Sequence, residues 1–99
     1  MDIEFKYQGI DFIADKIKME SNPIKHNGIT FEKAAQVFFD PFLMNLDATR
    51  NFEERDAVIG FDNSQKLLFV VYVEWKEEYI RLISARRATK EERKRYESI

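Results

Sequence analysis

Tyr79-Ile80-Arg81-Leu82-Ile83-Ser84-Ala85-Arg86-Arg87-Ala88-Thr89-Lys90-Glu91-Glu92-Arg93-Lys94-Arg95-Tyr96 reads as a strand, a short connection and a helix. From Tyr79 to Ala85 the residues are β-branched, aromatic or apolar, interrupted at Arg81 and Ser84, which is strand chemistry. Thr89 and Glu92 have capping-box spacing, so a helix is predicted to start at about Lys90. Arginine recurs at positions 81, 86 and 87, where the strand runs out and the helix begins. Such junctions often gather functional side chains. The same residues also suit a solvated strand edge and a charged surface helix, and the pattern alone leaves both readings open.

Working back from this stretch, Leu67–Val73 is nearly continuously apolar, which predicts a central strand covered on both faces. Trp75-Lys76-Glu77-Glu78 returns the chain into the strand at Tyr79. Ala57–Phe61 predicts another strand, and Asp62-Asn63-Ser64-Gln65 is turn chemistry. A strand is also predicted at Phe42–Leu46, before a polar loop from Asp47 to Glu54. Thr30 caps a predicted helix over Phe31–Phe39, with Phe31, Ala34, Ala35 and Phe38 on one face and Asp40-Pro41 ending it.

Nearer the N-terminus, Asp15 is the expected cap of a helix running through Met19 or Ser21, which should stop or kink at Pro23. Asn27-Gly28 marks a turn. Ile3–Tyr7 alternates like a half-buried strand, and Gln8-Gly9 turns it into a second short strand at Ile10–Ile13. The expected architecture is α+β: N-terminal helices, a small antiparallel meander of three or four strands, and a C-terminal helix.

With 99 residues, the chain is expected to form one domain over residues 1–99, with one modest core. Apolar content of 44% is ordinary for a globular chain, and 34% charged residues favour solubility. No apolar run approaches the roughly 18–20 residues of a membrane span. The N-terminus, Met1-Asp2-Ile3-Glu4, lacks a signal-peptide apolar region, so a cytoplasmic location is expected. Without cysteine there is no thiolate chemistry, and one histidine excludes a multi-histidine metal site. The net charge of −2 divides into +4 over residues 79–99 (seven basic, three acidic) and −6 over residues 1–78 (nine basic, fifteen acidic). A basic end on an acidic body suits an anionic ligand or a partner of complementary charge.

No glycine-rich phosphate loop, zinc spacing or nucleophile elbow is present. Lys25-His26, Glu54-Arg55, Arg81 and Arg86-Arg87 each sit at an element boundary, where side chains can converge. Such a set suits RNA cleavage without a metal. That reaction needs a base for the 2′-hydroxyl, cations for the phosphorane and a proton donor for the 5′-oxygen. Imidazole can serve as base or acid, and guanidinium groups match phosphoryl oxygens bidentately. Glu54 suits the base, or simply a salt bridge that holds Arg55.

Four segments carry a family resemblance. The first is Asp15-x-x-Lys18-x-x-x-Asn22-x-x-Lys25-His26, followed by Gly28-Ile29-Thr30-Phe31-Glu32-Lys33-Ala34-Ala35 and, after Phe38, by Asp40-Pro41. The second is Glu53-Glu54-Arg55 leading to Ile59-Gly60, and the third is Leu67–Tyr72. The fourth is Ile80–Thr89, continued by Glu91-Glu92-Arg93 and Tyr96-Glu97. Together they resemble the BrnT family of type II toxin–antitoxin ribonuclease toxins, over nearly all of the chain from Asp15 onward. The departures are Ala14, Pro23 and Asn27, all around the Lys25-His26 segment.

The resemblance implies a compact RelE-like fold and metal-independent RNA endonuclease activity that inhibits translation and growth, with no cofactor. It also implies a cognate BrnA-like antitoxin that wraps the toxin and dimerises through a DNA-binding domain, so that operator DNA is reached only through the antitoxin. Carried over by position, the catalytic candidates are Lys25, His26, Glu54, Arg55, Arg81 and Arg86, with Arg87 and Tyr96 as RNA-binding candidates. The competing reading is a non-catalytic RNA- or protein-binding module that uses the same basic edge.

Overall fold

A computed structural model describes residues 1–98. The C-terminal stretch does form a strand and a helix: β6 (Tyr79–Arg87) and α3 (Lys90–Glu97). Before them come β1 (Asp2–Tyr7), β2 (Ile10–Asp15), α1 (Lys16–Lys25), α2 (Phe31–Val37), β3 (Met44–Asp47), β4 (Asp56–Phe61) and β5 (Leu67–Trp75). The class is α+β, with three helices and one six-stranded sheet of order β1-β2-β6-β5-β4-β3 among the described residues.

The sheet is mixed, not purely antiparallel. β3 through β6 form the expected meander, but the N-terminal hairpin joins it when β2 pairs in parallel with β6 (Ile13 opposite Arg81). That pairing joins segments almost seventy residues apart, and local periodicity carries no signal of it. It ends at Ile13 because the chain turns into α1 at Lys16, so β6 beyond Arg81 has an edge without a strand partner.

Asn22 fills that vacancy. It is 4% exposed, and its side-chain nitrogen donates to the Ala85 carbonyl (2.8 Å) and the Ile29 carbonyl (2.7 Å). Its side-chain oxygen accepts from the Ala85 N–H at 3.2 Å. One amide thus satisfies both backbone groups of a buried strand residue, which would otherwise cost about 1–3 kcal/mol each. Of the two expected outcomes at Pro23, a stop or a kink, the stop does not occur: α1 runs through it to Lys25. Proline removes one hydrogen bond near the helix end, and the Asn22 triad, with the bonds His26 N–H to Asn22 O (2.9 Å) and Gly28 N–H to Pro23 O (2.7 Å), holds the turn.

The predicted caps of the other helices are present. The Thr30 side chain accepts from Lys33 N–H, and Thr89 and Glu92 form a reciprocal capping box. α2 ends two residues earlier than expected, at Val37. There Phe38 and Phe39 donate to carbonyls three residues back, which tightens the last turn. Asp40 then ties three elements together. Its carboxylate accepts from Phe42 N–H (2.8 Å), Phe61 N–H (2.8 Å) and the Tyr96 hydroxyl (2.6 Å). The bond to Phe42 keeps that residue in a turn, so β3 starts at Met44 and not at Phe42.

The main core lies between the sheet and α1 and α2. Phe12, Ala14, Val58, Leu68, Val70, Leu82 and Ala85 from the strands meet Ile29, Phe31, Ala34, Ala35 and Val37. Phe38 packs on Phe12 and Tyr72 with ring centroids 5.6 and 5.0 Å away. Gly60 allows the close approach of α2, since a Cβ there would lie 2.9 Å from Val37 Cγ1. The other face of β5 is not covered as expected. α3 closes only one end of it, through a small cluster of Ile59, Leu67 and Tyr96, and leaves Phe69, Val71 and Val73 half-buried.

Candidate functional site

Two arginines five residues apart on a regular strand face opposite ways, because side chains alternate. In β6 they face the same way. Val71 pairs with Ser84, but Tyr72 pairs with Leu82, so Ile83 is an extra residue and the ladder bulges there. Before the bulge Leu82 points into the core, and after it Ala85 does. Arg81 and Arg86 therefore both stand on the open face, over Trp75 and Phe69 respectively, with guanidinium carbons 4.6 and 4.3 Å from the ring centroids. The bulge aligns the two cations.

Each arginine is held by a carboxylate. Arg86 grips Glu92 bidentately (2.7 and 2.9 Å), and Glu92 also accepts from Thr89 N–H within the capping box. That hydrogen-bonded pair raises the Arg86 pKa and lowers that of Glu92, against the opposing effect of burial. Arg81 grips Asp2 on β1 (3.2 and 2.9 Å), which raises the arginine and holds the Asp2 carboxyl below its usual range. Arg55 pairs with Glu53 at 2.8 Å.

Between the β3–β4 hairpin and α3 the open face forms a groove of about 820 Å³. Phe69, Val71 and Leu46 line its apolar side, with Ser84 among them, and Arg50, Arg55, Arg86 and Arg95 bring four positive charges against Asp47 and Glu92. Asp47 is held below its usual carboxylate range by hydrogen bonds from the Thr49 side chain and backbone N–H. A second hollow of about 490 Å³ shares Asp47, Thr49 and Arg55 with the first and adds Glu54 and Asp56. A half-buried aromatic floor under guanidinium groups suits a polyanion whose bases also need apolar contact.

The structure brings together Arg55 and Arg86, and sets Glu54 in the adjoining hollow. Arg81 shares the face but lines neither hollow. Lys25 and His26 line neither hollow. They end α1, which packs on the opposite face through Met19. The Arg87 side chain is exposed, and its carbonyl accepts from the Arg86 guanidinium at 3.1 Å. Tyr96 turns inward: it is 9% exposed, packs edge-on against Phe61 and anchors α3 through Asp40. Sequence reasoning did not single out Arg50 and Arg95. Arg50 sat in an unremarkable polar loop, and Arg95 was one of several cations on α3, whose orientation depends on Tyr96 being buried.

Residues 15–92 match the family model for the ribonuclease toxin BrnT of type II toxin–antitoxin systems. The chain belongs to the BrnT family. The match runs from the cap of α1 to the glutamate of the capping box, so it includes Arg55, Arg81 and Arg86 and the Asn22 anchor. Membership of BrnT, a family of type II toxins, implies an RNA substrate and an antitoxin partner. No curated protein matches the chain. Among the described residues no helix is long and apolar enough to cross a membrane.

Proposed function

We propose that this protein is a metal-independent RNA endonuclease that binds its substrate backbone in the arginine-lined groove and is neutralised by a BrnA-like antitoxin. The observation that carries the reading is the β6 bulge, which sets Arg86 beside Arg55, Arg50 and Arg95 over an aromatic floor. Guanidinium groups on the non-bridging oxygens stabilise the phosphorane as the 2′-oxygen attacks and the 5′-oxygen leaves, taking its proton from solvent water because the guanidinium groups keep theirs. Glu54, beside Arg55 in the adjoining hollow, is assigned to accept the 2′-hydroxyl proton. His26, Lys25 and Arg81 lie outside the groove, and any part they take is with RNA that extends beyond it. Arg87 is assigned to backbone contact, and Tyr96 to holding α3, not to RNA. The family membership and the α+β fold suit a RelE-like architecture.

The ion pairs have a mechanistic meaning. Phosphate must displace Glu53 from Arg55 and Glu92 from Arg86, so binding exchanges one anionic partner for another. This same feature favours a second reading, in which the basic face only binds RNA or an acidic protein. The two separate in one assay. Purified protein incubated with RNA in excess EDTA should cleave it, giving a 2′,3′-cyclic phosphate and a 5′-hydroxyl, and co-expressed product of the neighbouring gene should abolish both cleavage and growth inhibition. Intact RNA under these conditions would leave the binding reading, and cleavage only when a divalent cation is added would remove the metal-independent mechanism.

A further inference from the structure

The β3–β4 hairpin turns at Arg50-Asn51-Phe52-Glu53, where Arg50 and Glu53 exchange backbone hydrogen bonds of 3.1 and 2.9 Å. Both central residues have positive φ, 51° at Asn51 and 65° at Phe52, as a type I′ turn requires. Asparagine tolerates that conformation and glycine favours it, whereas a bulky aromatic is strained there. The β1–β2 turn places Gly9 at the second position (φ 85°), whereas the β5–β6 turn also uses two non-glycine residues, the charged Lys76 and Glu77 (φ 53° and 62°). In the β3–β4 turn the second position holds a phenylalanine with no packing return, since Phe52 is 103% exposed. Strain without burial is a poor arrangement for folding, and points to a role in contact with something else.

Phe52 projects from the tip of the hairpin whose sides supply Arg50 and Arg55 to the groove. An exposed flat apolar ring two residues from Arg50 and three from Arg55, both of which line the cationic groove, matches a nucleic-acid strand with phosphates in the groove and a base against the ring. We infer that Phe52 is a base-stacking residue, which takes one unpaired base of single-stranded RNA next to the backbone held by Arg50 and Arg55. The inference rests on RNA occupying the groove, but not on cleavage of that RNA.

The test uses the intact protein and a single-stranded oligoribonucleotide carrying 2-aminopurine. Wild type should bind it and quench the 2-aminopurine fluorescence by stacking. Phe52→Gly should weaken binding on the order of tenfold and restore the fluorescence, while its melting temperature stays level or rises because the turn strain is relieved. Phe52→Trp should keep both affinity and quenching. Unchanged affinity and quenching in Phe52→Gly would overturn the inference, as would lost antitoxin binding with RNA affinity intact. Binding and quenching without cleavage would sink the nuclease reading and leave the stacking role standing. Failure of wild type to bind RNA at all would sink both.

Discussion

The two faces of the sheet are built by the same strands yet finished in different ways. Against α1 and α2 the face is apolar and closed, with Phe12, Phe31, Val37 and Leu68 fully buried and the buried amide of Asn22 using both its donor and acceptor groups. The opposite face is closed at one end only, by Tyr96 of α3, and elsewhere exposes half-buried Phe69 and Val71 under arginines whose carboxylate partners are exchangeable. Buried polar groups on the closed face have nowhere else to go, so they act as fixed struts. Ion pairs at the open face are partly solvated and contribute little to stability. Stability and binding are thus separated by the plane of the sheet.

That separation makes the two faces respond differently to substitution. The largest expected effect is on the open face: Arg55→Ala combined with Arg86→Ala should reduce RNA cleavage by about 10²–10³-fold. The midpoint of urea unfolding should change little, since both pairs are partly exposed. Turnover measured beside the unfolding curve checks this, and a collapse of stability in the double variant would break the contrast. Next comes the closed face, where Asn22→Ala leaves the Ala85 N–H and carbonyl and the Ile29 carbonyl without their side-chain partner. It should cost about 3 kcal/mol, read from chemical denaturation, with activity of the remaining folded fraction preserved.

The smallest effect belongs to the seam between the faces. Tyr96→Phe removes one donor to Asp40 and should cost about 1 kcal/mol. Burial, together with the hydrogen bond to Asp40, pushes the Tyr96 hydroxyl up to about 12. A raised folded-state value favours the protonated phenol, so its contribution is complete below about pH 10 and is lost as the pH rises towards 12. Asp40 behaves in the opposite sense. Burial raises it, but the bonds from Tyr96, Phe61 and Phe42 outweigh burial and leave it below the usual carboxylate value, so its contribution is lost at acid pH. Melting against pH should therefore show a shallower alkaline decline in Tyr96→Phe than in wild type. Identical alkaline limbs would remove Tyr96 from the seam.

Much of the local structure was legible before any coordinates. Thr30 and Thr89 cap the helices they were expected to cap, because a side-chain oxygen and an N–H three residues on are set by spacing alone. The strand at Tyr79 and the turn at Asp62 follow from equally local chemistry, while of the candidates at element boundaries only Arg55 and Arg86 line the groove and Glu54 the adjoining hollow. The sequence by itself determined which segments are helix or strand and where most of them are capped.

Only the tertiary structure decided how those segments meet. The parallel pairing of β2 with β6, the continuation of α1 through Pro23 and the half-open face of β5 all depend on contacts far apart along the chain. The bulge at Ile83 is the sharpest case. Sequence spacing puts Arg81 and Arg86 on opposite faces of a regular strand, and one extra residue, fixed by pairing with β5, puts them on the same one. Propensity acts between neighbours, whereas register is set by the partner strand, so the cationic face of this toxin exists only once the sheet has formed.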